Sequence, residues 1–284
     1  MQNKAKVPVS RYLFRILKWL CVAMTVLSVL VLAAVIVYVF ADGAAKLSRD
    51  LILGDYSTTP SILPALVGTV ELVLIASLIA VPFGIGSAVF LAEYTDHTGP
   101  LVRAIRIAVE TLAGIPSIVY GLFGYLVFVV ALGWGYTLLG GGITLAVMIL
   151  PVIVRSTEES LLAVPVSYRE GAYALGAGKV RTIFRIVLPA ASGGIVTAII
   201  LAVGRVISES AVLILTVGMV VNKMPPDILS PGTSLALDIY YFASHGYPNE
   251  AAATSVVLLV FVLLINLGAG AIGKMFERKA GALR

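Results

Sequence analysis

Two charges, Arg205 and Glu209, stand four residues apart inside an apolar stretch that runs from Leu188 to Val217. On one α-helix that spacing puts them on a shared face, where they can pair. Each costs ~2.5–3.5 kcal/mol at the centre of a bilayer, so both are expected to face protein or water rather than lipid. A guanidinium presents a planar fork that grips the oxygens of an oxyanion two at a time, whereas a carboxylate repels the same anion. Two uses are open: a transient anion contact at Arg205 that Glu209 holds and competes for, or a structural ion pair that fixes helix packing. Glu71, set at the edge of another apolar stretch, either joins this group or bonds a neighbouring serine or backbone group. Glu110 follows Arg106 by four residues and is expected to be its interfacial partner.

Other chemistries lack their residues. The Gly-Lys pairs, Gly178-Lys179-Val180 and Gly273-Lys274-Met275, are not followed by Ser or Thr, so no phosphate loop for ATP is present. There is no His-Glu-x-x-His and no G-x-S-x-G, and His97 and His245 fall in loops. The single cysteine, Cys21, supports neither a disulfide nor a thiolate metal site. No catalytic residue, metal or cofactor is expected.

The elements that must position these charges are membrane helices. Of the residues, 60% are hydrophobic and only 12% charged, which excludes a soluble enzyme. Trp19–Phe40, Leu72–Ala92 and Ala251–Gly273 are each free of charge and close to the ~20 residues that one bilayer crossing takes. Thr111–Val154 is also charge-free but too long for one helix, and Gly133-Trp134-Gly135 with Gly140-Gly141-Gly142 divides it in two. With Leu188–Val217 this makes an all-α chain of six transmembrane helices, at about 17–40, 62–91, 104–131, 141–154, 189–217 and 251–273. The chain 1–284 reads as one transmembrane domain: an uncleaved anchor helix, a core over about 62–273, and a cytoplasmic loop over about 155–188.

Basic residues set the orientation. With the amino terminus inside, Lys4, Lys6, Arg11, Arg15, Lys18, Arg103, Arg106, the basic residues of 155–187 and those of the carboxyl end are cytoplasmic. Only Lys46, Arg49 and Lys223 are left outside, and both termini are cytoplasmic. The net charge of +5 is thus a topology signal beside lipid rather than a nucleic-acid footprint. The outer loop 218–250 is rich in turn formers, with an apolar stretch at Leu235–Phe242 that suits a short interfacial helix, and it is either a plain connection or a surface for an external partner. Pro82 and Pro116, each flanked by glycines, are expected to bend the second and third helices.

The cytoplasmic loop has the strongest local grammar. Pro165 suits a helix start and Gly176 the left-handed position just past a helix end. Beyond it Val180, Ile183, Phe184 and Val187 form one apolar face of a second, amphipathic helix near the membrane surface, with Lys179, Arg181 and Arg185 around it. Pro189 then suits the first turn of the next span.

This loop resembles that of the permease subunits of ABC importers, which reads E-A-A, three residues, G, nine residues, I-x-L-P. Here Glu170, Gly171, Ala172, Gly176, Ile186, Leu188 and Pro189 stand at the full spacing, Gly171 replacing the second alanine. The resemblance implies a type I importer permease fold and a coupling helix, made of Arg169, Glu170, Ala172 and Gly176, that docks into a cytoplasmic ATPase with Arg169 and Glu170 at the interface.

Gly114–Gly124, Pro151–Glu159, Arg169–Gly176 and Arg205–Leu215 are further similar to the phosphate permease (PstA) branch of that family, from which Ser208, Ser210 and Val212 depart. The branch implies a cell-membrane subunit that translocates inorganic phosphate, and Arg205 and Glu209, with Glu71 if it joins them, are the candidate pathway residues. It also implies a homologous PstC-like permease, a PstB-like ATPase dimer and a PstS-like extracytoplasmic binding protein as partners. Carriage of sulfate, molybdate or phosphonate, or a non-transporting sensor or assembly role, are the alternatives.

Overall fold

The computed structural model describes residues 9–54, 60–96 and 99–281. Lys4, Lys6, His97 and Arg284 lie outside them. No β-strand occurs among the described residues, so every ordered element is helical. In lipid that is the economical solution, because a helix satisfies its own backbone groups.

The chain opens with α1 (Val9–Gly43), whose apolar length packs on the rest of the protein only near its end, where Gly43 lies against the Ala252 carbonyl. A side chain at position 43 would strike the Ala252 backbone there. The short α2 (Arg49–Leu53), capped by Ser48, leads to α3 (Leu63–Val89), which continues through Pro82 into a π-helical turn, Phe90–Tyr94. Next come α4 (Pro100–Ala113) and α5 (Ser117–Gly124), the latter running on as a π segment to Ala131. α6 (Leu138–Leu162) starts from a Thr137 cap, and α7 (Val166–Ala174) and α8 (Lys179–Thr182) make the cytoplasmic helix–turn–helix. α8 passes through a π turn, Ile183–Val187, into α9 (Leu188–Ile207), and α10 (Ala211–Thr216), α11 (Leu235–Ser244) and α12 (Pro248–Gly281) complete the chain.

Five helical stretches are long and apolar enough to cross a bilayer, and α4 with α5 makes a sixth if the pair counts as one span. With the amino terminus inside, α7 and α8 are cytoplasmic, and so is the carboxyl terminus. Three expectations need correction. The helix expected over 104–131 bends where Pro116 predicts, but by 99° and with a division into two helices, α4 and α5. Pro116 has no N–H for the Leu112 carbonyl, which instead accepts from Ile115 N at 3.1 Å and from the Tyr120 hydroxyl at 2.8 Å. The helix expected over 189–217 is two, broken at residues 208–210. The stretch 235–244 is no interfacial helix: Leu235, Leu237, Asp238 and Phe242 are buried, Leu235 and Phe242 in one cluster with Ile62, Ala65, Ala251 and Ala253 and Leu237 in the main core. Pro189 stands in the first turn of α9, as expected, and α9 follows directly on the π turn Ile183–Val187 within one apolar stretch, Lys179–Ile207.

The core is the long pairing of α3 with α6, closed by α9 and α10. Its closeness comes from small residues. Gly84 faces Ile153, Gly142 faces Ile75, and Gly124 admits Thr144 and Thr216, so at these crossings a Cβ would collide with a neighbouring side chain.

Candidate functional site

At the outer end, α9 finishes on Ile207 with Arg205 in its last turn, where the partial negative charge of the helix carboxyl end favours a cation. Counted from Leu188 the residue is ~26 Å along the helix. It therefore lies toward the outer limit of the span rather than at mid-membrane. Arg205 is half-buried, and its charge is close enough to act on the Tyr120 phenol of α5. Behind it α10 packs on α5 at Gly121, where a Cβ would come within 3.0 Å of the Val212 Cα. The stretches 114–124 and 205–215, far apart in sequence, thus meet in space.

The expected pairing of Arg205 with Glu209 is absent. Glu209 stands in the break after α9, and its Oε1 accepts a hydrogen bond from Val212 N at 3.3 Å, at the start of α10. A carboxylate that binds the backbone of the next turn supports a new helix start in place of continuation. No ion pair among the described residues joins Arg205 to Glu209 or to Glu71. Glu71, in the third turn of α3, has a buried Oε2 that accepts no hydrogen bond from the described residues. The structure does not bring the three into contact. Glu110 is likewise reassigned. Arg106 binds Glu158 of α6 with Nη2–Oε1 at 2.6 Å, while Glu110 faces Arg155 at 3.5 Å, because α4 lies along α6 and the cross-helix carboxylate is the nearer one.

At the inner end, α7 closes as the sequence leads one to expect. Gly176 has φ +79°, its N–H donates to Tyr173 O at 2.9 Å, and Ala177 N donates to Ala172 O at 3.0 Å, the paired bonds of a Schellman cap. Ala172 is buried, while Glu170 and Gly176 are exposed and the tip residue Leu175 is 90% exposed. Leu175, Tyr173 and Val166 give the loop an apolar outer surface. The apolar face expected on α8 divides: Ile183 and Val187 are buried, but Val180 and Phe184 are exposed.

Arg169 was expected at that outer surface and is not there. It turns inward to Glu93, with Nη2–Oε1 at 2.6 Å, and both side chains are largely buried. Glu93 and its neighbour Tyr94, whose ring carries Lys179 Nζ 4.8 Å from its centroid, belong to no motif in the sequence. The only trace there was that Glu93 ends the charge-free window of the second span.

Comparison with known proteins agrees with this architecture. The description "binding-protein-dependent transport system inner membrane component" matches residues 80–281. A probable ABC transporter permease protein, YqgI of Bacillus subtilis (strain 168), is 34% identical over 275 residues, covering 89% of this chain and 93% of its own. The phosphate transport system permease protein PstA of Mycobacterium leprae (strain TN) is 36% identical over 225 residues, covering 78% and 73% respectively. In a bacterial alginate ABC transporter crystallised with an alginate pentasaccharide-bound periplasmic protein, one chain shares the fold, with a TM-score of 0.69 at 14% identity over 95% of this chain and 98% of that one. The chain belongs to the binding-protein-dependent transport system inner membrane components, and is an integral membrane permease subunit of an ABC importer.

Proposed function

We propose that this subunit passes inorganic phosphate into the cell. The observation that carries the reading is Arg205: a half-buried residue at the outer end of α9, near Tyr120 of α5, with no carboxylate of the described residues within ion-pair distance. An uncommitted fork at the outer mouth suits an oxyanion handed over from outside. Likeness to a phosphate permease over three quarters of the chain supports the substrate. In this reading Glu71 stands in the wall of the pathway, where a carboxylate keeps the anion from being held too tightly for release, and Glu209 shapes that wall by holding the start of α10. Arg169, Glu170, Ala172 and Gly176 form the coupling helix, Glu170 and Leu175 facing the ATPase and Arg169 anchoring from behind. The partners are a homologous PstC-like permease, a PstB-like ATPase dimer and a PstS-like binding protein.

The test is ATP-dependent uptake of labelled phosphate by vesicles holding all four components, with unlabelled sulfate, molybdate or phosphonate as competitors. Phosphate uptake that none of these suppresses is the expected result. Uptake of another oxyanion in its place would reassign the substrate, and ATP hydrolysis without uptake of any anion would favour a sensor or assembly role.

A further inference from the structure

We propose that Glu93 and Tyr94 form a clamp by which α3 grips both arms of the coupling helix–turn–helix, Glu93 being the residue that positions α7. The proposal rests on the coupling reading of residues 169–176. The two residues end the π-helical turn Phe90–Tyr94, whose wider winding changes the direction of the side chains that follow it, and π turns of this kind concentrate at functional positions. Neighbours in sequence, they reach different arms. Glu93 meets Arg169 on α7, and Tyr94 lies under the ammonium of Lys179, the first residue of α8.

The Glu93–Arg169 contact is built as a joint. Arg169 Nε and Nη2 both reach Glu93 Oε1, at 3.1 and 2.6 Å, while Nη1 donates to Val164 O at 2.9 Å and Nη2 to Leu161 O at 3.0 Å. Leu161 belongs to the last turn of α6 and Val164 follows it, so one guanidinium ties the cytoplasmic ends of α3, α6 and α7 together. The side chains are 6% exposed at Glu93 and 16% at Arg169, so water does not compete for the bond as it does at the surface. Around it Ala88, Ala92, Leu161 and Val164 form an apolar sleeve against which Tyr168 packs. Glu170, the next residue along, is exposed. The helix therefore has a docking side and an anchoring side, and a displacement imposed on the first reaches the membrane through Glu93. Beyond Glu93 the path is rigid, because α3 and α6 interlock at Gly84 against Ile153 and at Gly142 against Ile75.

The experiment uses the complete importer in vesicles and compares Glu93→Gln, which keeps the shape and removes the charge, with Tyr94→Leu and with Gly176→Val. Two quantities are read: the amount of ATPase recovered with the tagged permease, and the ratio of hydrolysis stimulated by loaded binding protein to basal hydrolysis. For Glu93→Gln the ATPase is recovered and the ratio falls ~tenfold, the size of an ordinary inter-site coupling. Tyr94→Leu lowers it about twofold to threefold, as loss of one cation–π contact would. A merely structural pair would lower recovery and leave the ratio untouched, and that outcome overturns the clamp. A wild-type ratio in Glu93→Gln beside an abolished one in Gly176→Val also overturns the clamp but leaves the coupling reading standing. Wild-type ratios in both remove the coupling reading, and the clamp with it. If Glu93→Gln does not reach the membrane, Glu93→Asp is read in its place. A carboxylate drawn back by one methylene is expected to lower the ratio, and full stimulation would reject the proposal.

Discussion

An arginine in the last turn of a membrane helix is tolerated because the helix end attracts it and the span is nearly complete there. No ion pair among the described residues neutralises Arg205, which leaves its planar fork for the proposed anion contact. Arg205→Lys keeps the charge and loses the fork, and phosphate uptake is expected to fall at least tenfold with the amount of assembled complex unchanged. Glu209→Gln keeps an oxygen to accept from Val212 N, so uptake should stay within about twofold. Glu209→Ala removes that cap and should destabilise the α9–α10 break by ~1 kcal/mol, read as a lower thermal midpoint of the detergent-purified protein. A steep loss of uptake in Glu209→Gln would restore an ionic role for that residue.

Asp238 carries a different residue-scale consequence. It is buried in α11, and burial pushes its carboxyl up to about 7, against the pull of the hydrogen bond from the Thr233 hydroxyl, while Oδ2 has no donor among the described residues. Unfolded, the group loses its proton near pH 4; folded, it keeps it until about 7. Between those values the folded state holds more protons, so stability is greatest at the acid end and falls as pH rises, by up to ~1.4 kcal/mol per unit, and levels off above 7. Asp238→Asn should flatten that slope in pH-resolved thermal unfolding. An unchanged slope would remove Asp238 as its source.

At the scale of the element, α7 is the helix whose ends and interior carry separable demands. Gly171 is in mid-helix with open space where a Cβ would stand, so Gly171→Ala should stabilise the helix by ~0.5–1 kcal/mol and leave stimulated hydrolysis intact. Gly176 is the reverse case, since φ +79° strains a β-branched residue even with space around it. Gly176→Val should leave the protein in the membrane and abolish substrate-stimulated ATP hydrolysis. Full stimulation in that variant would show that the turn does not couple.

For the whole molecule, the proposed function calls on other chains for ATP hydrolysis and for the second half of a pathway. Purified in mild detergent from cells producing the whole system, a tagged copy is expected to bring with it a second permease and two copies of an ATPase. A pure monomer that transports phosphate in vesicles would refute this. α1 packs on α12 at Gly43, and its described side chains from Leu13 to Tyr38 are exposed, left to lipid or to those partners.

The spans were legible in the sequence, five outright and the sixth as the bent α4–α5 pair, because hydrophobic run length acts locally, one segment at a time. So was the cap at Gly176, since a left-handed position and the end of a short helix are set within a few residues. The breaks at 114–116 and 208–210 were not. Pro116 announced itself, but a 99° turn needed Tyr120 to return and satisfy the Leu112 carbonyl, and the second break needed Glu209 to bind Val212 N rather than Arg205. Spacing of four residues permits a pair only where the helix continues, and that is decided by packing of α10 on Gly121. The partners of Arg106 and Arg169 were equally out of reach, because Glu158 and Glu93 lie 52 and 76 residues away in the chain. Ion pairs between helices depend on which ends the fold brings together, and only the tertiary structure specifies that.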